Sequence, residues 1–372
     1  MLSGPEHVVV INAMVKKRFV LRAILTALLF VVLFLPVSRA AGAERIPFAP
    51  GDSLELVREK IKANGYHFTV ASNWVVELPP ERRERLRGRR SSGRPVRVEV
   101  EGALDPGPVA AYLSRPLPAS FDWRNVNGHS YIGPIRRQGD CGGCYAFGAC
   151  AAAEGVYNRV VGLHDASCID FSEAFIIFCL DDLYPGFSGC SGSDYEYDEL
   201  DALVERGVCR ESRFPYDPNG RECRPDFSPP TVHFHAWYRL PCNDVAAIKT
   251  AIYYCGIVDA ALLTNPAFDA YQSGIYEDTR TSCDDQKDDC YYAETDHVAA
   301  LVGWDDNGGD GYWILRNSWG REWGENGYMR ISFRAAHVAC AACYLLYGNS
   351  VPGPPLPKTP EISSWLPLLL EK

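Results

Sequence analysis

The sequence predicts an α+β protein of two lobes, a helical half followed by a sheet half, facing each other across a cleft. Three features of the chain lead there. Residues 144–161 are dense in alanine and other small apolar side chains, and 171–180 open on Ser172 and Glu173, a helix-start pattern. The stretches 297–304, 312–317 and 328–333 are apolar or alternating runs of strand length. All 14 cysteines lie between Cys141 and Cys343, so both halves belong to one structural unit.

With 372 residues, 47% hydrophobic and 23% charged, the chain has the composition of a globular protein. A formal charge of -10 argues against a nucleic-acid partner, whose phosphates it would repel. Residues 1–43 have the layout of a cleaved signal peptide. Lys16, Lys17, Arg18 and Arg22 precede the apolar run 23–37, and small residues follow at Ser38-Arg39-Ala40 and Ala41-Gly42-Ala43. The alternative is an uncleaved anchor, but that run is shorter than the ~20 residues of a spanning helix, so cleavage is expected. Secretion is therefore expected, with membrane contact only through the signal, and disulfides are the default state of the cysteines.

Residues 44–117 hold no cysteine. Leu54, Val57 and Ile61 share one face of a short helix, a β-rich stretch follows at 67–78, and eight arginines against the single Glu84 fill 82–97. Such a basic segment suits a pro-segment docked on an acidic domain, with a cleavable linker near 105–118. Residues 118–350 form the compact unit, and the proline-rich stretch 351–372 reads as an extended tail.

The chemistry concentrates at three places. Gln138-Gly-Asp-Cys-Gly-Gly-Cys144 is a glycine-rich turn that runs into the alanine-rich helix. A thiol attacks amides as its thiolate, and a helix N-terminus lowers its pKa, so Cys144 is the candidate nucleophile. Gln138 can reach back over the turn and, with the Cys144 N–H, form an oxyanion hole. His297 opens one predicted strand and Asn317 closes the next, which allows an imidazole base held by an amide, with Trp319 shielding their bond.

In order, Gln138-Gly-Asp-Cys-Gly-Gly-Cys-Tyr-Ala-Phe147, Asp296-His297-Val-Ala-Ala-Leu-Val-Gly-Trp304 and Asn317-Ser-Trp-Gly320 with Trp323-Gly-Glu-Asn-Gly-Tyr328 resemble the three signature blocks of papain-like (cathepsin-type) cysteine peptidases. Phe171-Ser-Glu-Ala-Phe-Ile-Ile-Phe-Cys179, Gly189-Cys-Ser-Gly192 and Phe121-Asp-Trp-Arg124 resemble the intervening blocks and the mature start. His297 follows Cys144 by 153 residues, near the roughly 130–150 usual in that family.

The resemblance implies the papain-like two-lobe fold, a helical lobe and an antiparallel β-barrel-like lobe. It implies a monomeric endopeptidase that cleaves proteins or peptides without a cofactor or metal and is inhibited by its own pro-segment. Gly192, Ser193 and Trp319 would contact substrate. The implied disulfides are Cys141–Cys190, Cys179–Cys223 and a third from Cys290 to Cys340 or Cys343, with Cys150, Cys168, Cys209, Cys242, Cys255 and Cys283 left unassigned. If Cys144 stays free, an odd number of cysteines remains and at least one more is unpaired within the chain. Two positions depart from the family pattern: Gly143 stands where Ser or Ala is usual, and Ser193 where a second Gly is usual. Asp194 and Tyr195 would lie near a substrate side-chain pocket.

Other classes are weaker. Cys141-Gly-Gly-Cys144 and Cys340-Ala-Ala-Cys343 have the grammar of a zinc site but lie far apart in an exported chain. A redox use of the first pair gives Gln138, His297 and Asn317 no role. A silent papain-like binding module is the remaining alternative. His233 and His235 read as solvent-facing residues of an alternating strand, 305–311 as a turn, and Asp284, Asp285, Asp288 and Asp289 as a solvated loop.

Overall fold

A computed structural model describes residues 45–88, 107–180, 186–193, 198–220, 222–224, 227–280 and 295–348. The expected signal peptide and C-terminal tail, Asp194, Tyr195, Cys283, Cys290 and the four aspartates of 284–289 lie outside them.

The N-terminal segment begins with α1 (Leu54–Asn64), whose Ser53 cap accepts from the Leu56 N–H and whose Val57 and Ile61 are buried. Gly65, left-handed at φ 69°, ends it by the backbone conformation that glycine adopts without strain. The predicted β-rich stretch shrinks to β1 (Phe68–Val70), and turns follow it. The arginine-rich run starts as α2 (Pro80–Arg85), which buries none of its residues. The linker is only partly loose: Gly107–Tyr112 coils into a 3-10 turn with Val109 buried and Tyr112 stacked 4.6 Å from Tyr254. Its exposed residues are Ala110, Ala111, 113–116 and Pro118.

Next come β2 (Ser120–Asp122) and the helical lobe, α3 (Cys144–Val161), α4 (Glu173–Cys179) and α5 (Asp198–Glu205). Alanines and Gly148 on α3 leave it thin enough to lie against the sheet: a Cβ on Gly148 would stand 2.5 Å from Val298. Both predicted helices of this half form, and α4 is capped by the Ser172 hydroxyl as expected.

The second half supplies β3 (Ala236–Arg239), α6 (Val245–Tyr254), β4 (Val258–Leu262), α7 (Pro266–Asp269), β5 (Tyr271–Tyr276), β6 (His297–Asp305), β7 (Tyr312–Arg316), β8 (Tyr328–Ser332) and β9 (Ala341–Leu346). The strand order is β1-β5-β8-β7-β6-β4-β9-β3, with β2 on β6. The pairs are antiparallel except β5 with β8, which run parallel. The sheet also takes in β1 of the N-terminal segment, paired with β5. Trp123, Trp304, Trp313, Trp319 and Trp323 are fully buried and fill its core. His233 and His235 are exposed as expected, but they precede β3. Asp305 to Gly311 is a turn with Asn307 at φ 45°.

The disulfides Cys141–Cys190 and Cys179–Cys223 are present as implied. Cys340 is also disulfide-bonded, whereas Cys343 is in no disulfide. Cys242, left unassigned from the sequence, is disulfide-bonded too. Cys150, Cys168, Cys209 and Cys255 are free and, except Cys168, buried. With Cys141 and Cys340 tied up in disulfides, the two C-x-x-C pairs lack the thiolates of a zinc site.

Candidate active site

Cys144 is the first residue of α3, fully buried, with Gly143 as the helix cap. The glycine at 143 has a packing reason, since a Cβ there would stand 2.5 Å from the Ile177 side chain. The sulfur therefore sits at the first residue of the helix, at the positive end of its dipole. Gln138, also buried, is fixed by Ser318, whose hydroxyl donates to Gln138 Oε1 at 2.6 Å and whose carbonyl accepts the Gln138 N–H at 2.8 Å. This orients Gln138 Nε2 toward the cleft. Ser318 was not singled out in the sequence, where only its place beside Asn317 marks it.

Antiparallel pairing of β6 and β7 matches Ala300 with Arg316, so the first residue of β6 and the residue after β7 come together. His297 Nε2 lies 2.8 Å from Asn317 Oδ1, the geometry of an imidazole N–H donating to the amide oxygen. The Trp319 ring stacks 4.8 Å from the imidazole and Phe268 approaches at 6.2 Å. Burial pushes the His297 pKa down to about 4, despite the Asn317 bond, which favours the charged ring.

The N-terminal segment passes directly over these groups. Gln138 Nε2 donates to the Leu86 carbonyl at 2.8 Å, the Gly88 N–H donates to Cys144 Sγ at 3.2 Å, and Ser193 N donates to the Gly88 carbonyl at 2.6 Å. The Leu86 backbone also faces the His297 ring. Gly192, left-handed at φ 108°, has no room for a side chain: its Cβ would stand 2.1 Å from the Gly88 oxygen. Gly88 is equally confined, with a Cβ 1.7 Å from the Gly142 oxygen. Trp74 Nε1 donates to the Trp319 carbonyl at 2.8 Å, and Arg87 pairs with Asp269 at 2.8 Å. Gly192, Ser193 and Trp319, expected to touch substrate, thus all touch this segment. Arg87 and Asp269 went unnoticed in the sequence because nothing local links residues so far apart.

Behind the site, Glu154 and Arg316 form a buried ion pair at 3.4 Å, tying α3 to β7. Burial and then neighbouring Glu154 push Glu173 up to about 8. Among the described residues, His129, His164 and Asp165 have metal-ligating atoms within 4.8 Å of one another. Both imidazole Nδ1 atoms already face Asp165 Oδ2, at 2.7 and 2.9 Å, on the protein's surface.

The family model described as papain family cysteine protease matches residues 117–346. Cysteine proteinase 2 of Entamoeba histolytica is 34% identical over 59% of this chain and 65% of that relative. Germination-specific cysteine protease 1 of Arabidopsis thaliana is 32% identical over 65% of this chain and 59% of its own length. The chain thus spans somewhat less than two thirds of these relatives. Digestive procathepsin L 3 of the Tenebrio molitor larval midgut superposes with a TM-score of 0.62 at 25% identity, over 79% of this chain and 87% of that one.

Proposed function

We propose that this chain, which belongs to the papain family of cysteine proteases, is a secreted cysteine endopeptidase made as a zymogen. The single observation that carries this is a peptide, residues 86–88, lying against Gln138, Cys144, His297 and Ser193 by its main-chain groups. A cleft that binds backbone in this way is suited to peptide substrates. The segment runs from Arg82 at Asp140 to Gly88 at the sulfur and Ser193, and endopeptidase action is the reading that the family resemblance favours. It also blocks without being cut. What it presents to the sulfur is the Gly88 N–H, whereas attack requires a carbonyl carbon.

In the proposed reaction the Cys144 thiolate adds to the scissile carbonyl, and Gln138 Nε2 with the Cys144 N–H holds the oxyanion. His297 takes the thiol proton as the thiolate forms and gives it to the leaving amine, then draws a proton from the water that releases the acyl group and returns it to the departing Cys144 sulfur. Asn317 and Trp319 keep the imidazole oriented and its bond dry. No step requires a cofactor. Residues 1–43 direct export, 44–117 act as the pro-segment, 118–350 are the peptidase domain, and 351–372 are a tail; the domain works as a monomer.

The test is hydrolysis of a peptide library under mild reduction by the purified chain, before and after proteolytic removal of the pro-segment, beside Cys144→Ala. Activity that appears on processing and is lost in the variant supports the reading. A folded, processed wild type without activity, whose Cys144 resists alkylation, would instead indicate a silent binding module.

A further inference from the structure

Removing the pro-segment strips one side chain in the cleft of its partner. Asp269 ends α7, and the peptidase domain itself fixes its backbone: the N–H donates to Asn265 O at 2.9 Å and the carbonyl accepts from Trp323 Nε1 at 3.1 Å. The carboxylate is held differently. Oδ2 accepts from Arg87 at 2.8 Å, while Oδ1, fully buried, has no hydrogen-bond partner. Asp296 stands beside it, 3.7 Å from Arg87 Nε, with its oxygens already accepting from the Thr264 N–H and hydroxyl. One guanidinium therefore spans two carboxylates, contributed by the stretches before β5 and β6.

We infer that Asp269 and Asp296 form a subsite for an arginine or lysine side chain of the substrate, on the leaving-amine side of the scissile bond, where Arg87 of the pro-segment now stands in. This deepens the peptidase reading of the preceding subsection and rests on it. The side follows from the layout of the cleft. On the helical lobe the Ser193 N–H pairs with the Gly88 carbonyl, on the far side of the Gly88 N–H···Sγ contact from Arg87. The two carboxylates lie on the other lobe: Asp296 directly precedes His297, and Asp269 follows Phe268, whose ring faces His297 and Trp319. A side chain that reaches them belongs to the residue whose amine His297 protonates.

Chemistry sets the preference within that position. A buried carboxylate with one oxygen unpartnered disfavours an apolar occupant, which would leave it without a counter-charge. A guanidinium reaches both acids through different nitrogens, as Arg87 does, whereas an ammonium is a point charge. The expected order is arginine, then lysine, then neutral residues, with glutamate last.

The experiment uses processed enzyme and two substrate sets. Peptidyl aminocoumarin amides have no side chain on the leaving side and read the reaction alone. Internally quenched peptides share one acyl sequence and carry Arg, Lys, Leu, Gln or Glu as the first leaving-side residue. We expect kcat/KM for Arg to exceed that for Leu and Gln by about tenfold or more, the worth of one charge-assisted contact. In Asp269→Asn that advantage falls to about threefold or less, and in Asp269→Lys the Glu peptide overtakes the Arg peptide. A wild type that cleaves the coumarin amides yet treats Arg and Leu alike overturns the subsite and leaves the peptidase reading standing. A wild type that cleaves neither set overturns both. The wild-type profile decides even if a variant does not fold.

Discussion

As far as Val75 the pro-segment docks like a piece of core: Phe48, Tyr66, Phe68, Val70 and Val75 are buried, Phe68 packs on Tyr271 and Tyr276, and β1 extends the sheet through β5. From Arg82 to Gly88 it docks as a polar thread. Leu86 is buried, but the contacts that cross the cleft are made by carbonyls, N–H groups and guanidinium groups. The first half removes apolar surface from water, a term indifferent to charge state. The second half covers Cys144 through interactions that geometry, protons and salt can alter. Holding and blocking are thus separable functions of one segment, and each can be perturbed alone.

The largest effect is expected from the first half, although it never touches Cys144. Phe68→Ala removes a ring that contacts Phe48, Tyr66, Tyr271 and Tyr276. Buried Phe→Ala changes cost about 3–5 kcal/mol, and about 1.4 kcal/mol is tenfold. Alkylation of Cys144 in the unprocessed chain should accelerate by about 100-fold or more. If the rate is unchanged, the polar thread is sufficient and the division of roles is wrong.

Gly88→Ala tests the other half. The added methyl would overlap the Gly142 carbonyl, so the thread must lift and lose its hydrogen bonds to Cys144 and Ser193. Two bonds at about 1 kcal/mol each correspond to a rise in alkylation of about 30-fold. The first half should stay docked, which hydrogen exchange across β1 would report as unchanged protection.

Acid should act only on the second half, and two groups pull in opposite directions. Burial lowers His297 from 6.5 to about 4, so the closed cleft favours its neutral form. That stabilisation is present above about 6.5 and is lost as pH falls through about 4. Burial raises Asp269 from 3.8 to about 6 against the pull of Arg87. Its contribution is present below about 3.8 and is lost as pH rises through about 6. Asp269 therefore resists acid opening. In Asp269→Asn the increase in Cys144 alkylation between pH 7 and pH 4 should be steeper than in wild type, by about several-fold. A shallower profile would mean that the Arg87 ion pair, rather than burial of the acid, governs the closed state.

The parts legible in the sequence were those set by local chemistry. The glycine turn into α3, the Ser172 cap and the apolar strands β6 and β7 each carry a short-range pattern, and β6–β7 pairing then brings His297 to Asn317. The strand β1 is only three residues long, too short for an alternation to show against its neighbours. Ser318 on Gln138, Arg87 on Asp269 and the disulfide state of Cys242 depend on segments that meet only in the folded chain. No spacing rule reaches across 182 residues to pair Arg87 with Asp269.

The smallest effect should come from an exposed member of the pro-segment's arginine run. Arg82 pairs with Asp140 at 2.9 Å on the rim of the cleft, with the two side chains 48% and 31% exposed. Water and salt screen such a pair, and exposed pairs contribute about 0.2–1 kcal/mol. Arg82→Ala should speed Cys144 alkylation by less than about fivefold, and 0.5 M salt should remove most of the difference between variant and wild type. If the change instead matched that of Phe68→Ala, the arginine run would be an anchor in its own right, and the apolar half would not be what holds the segment in place.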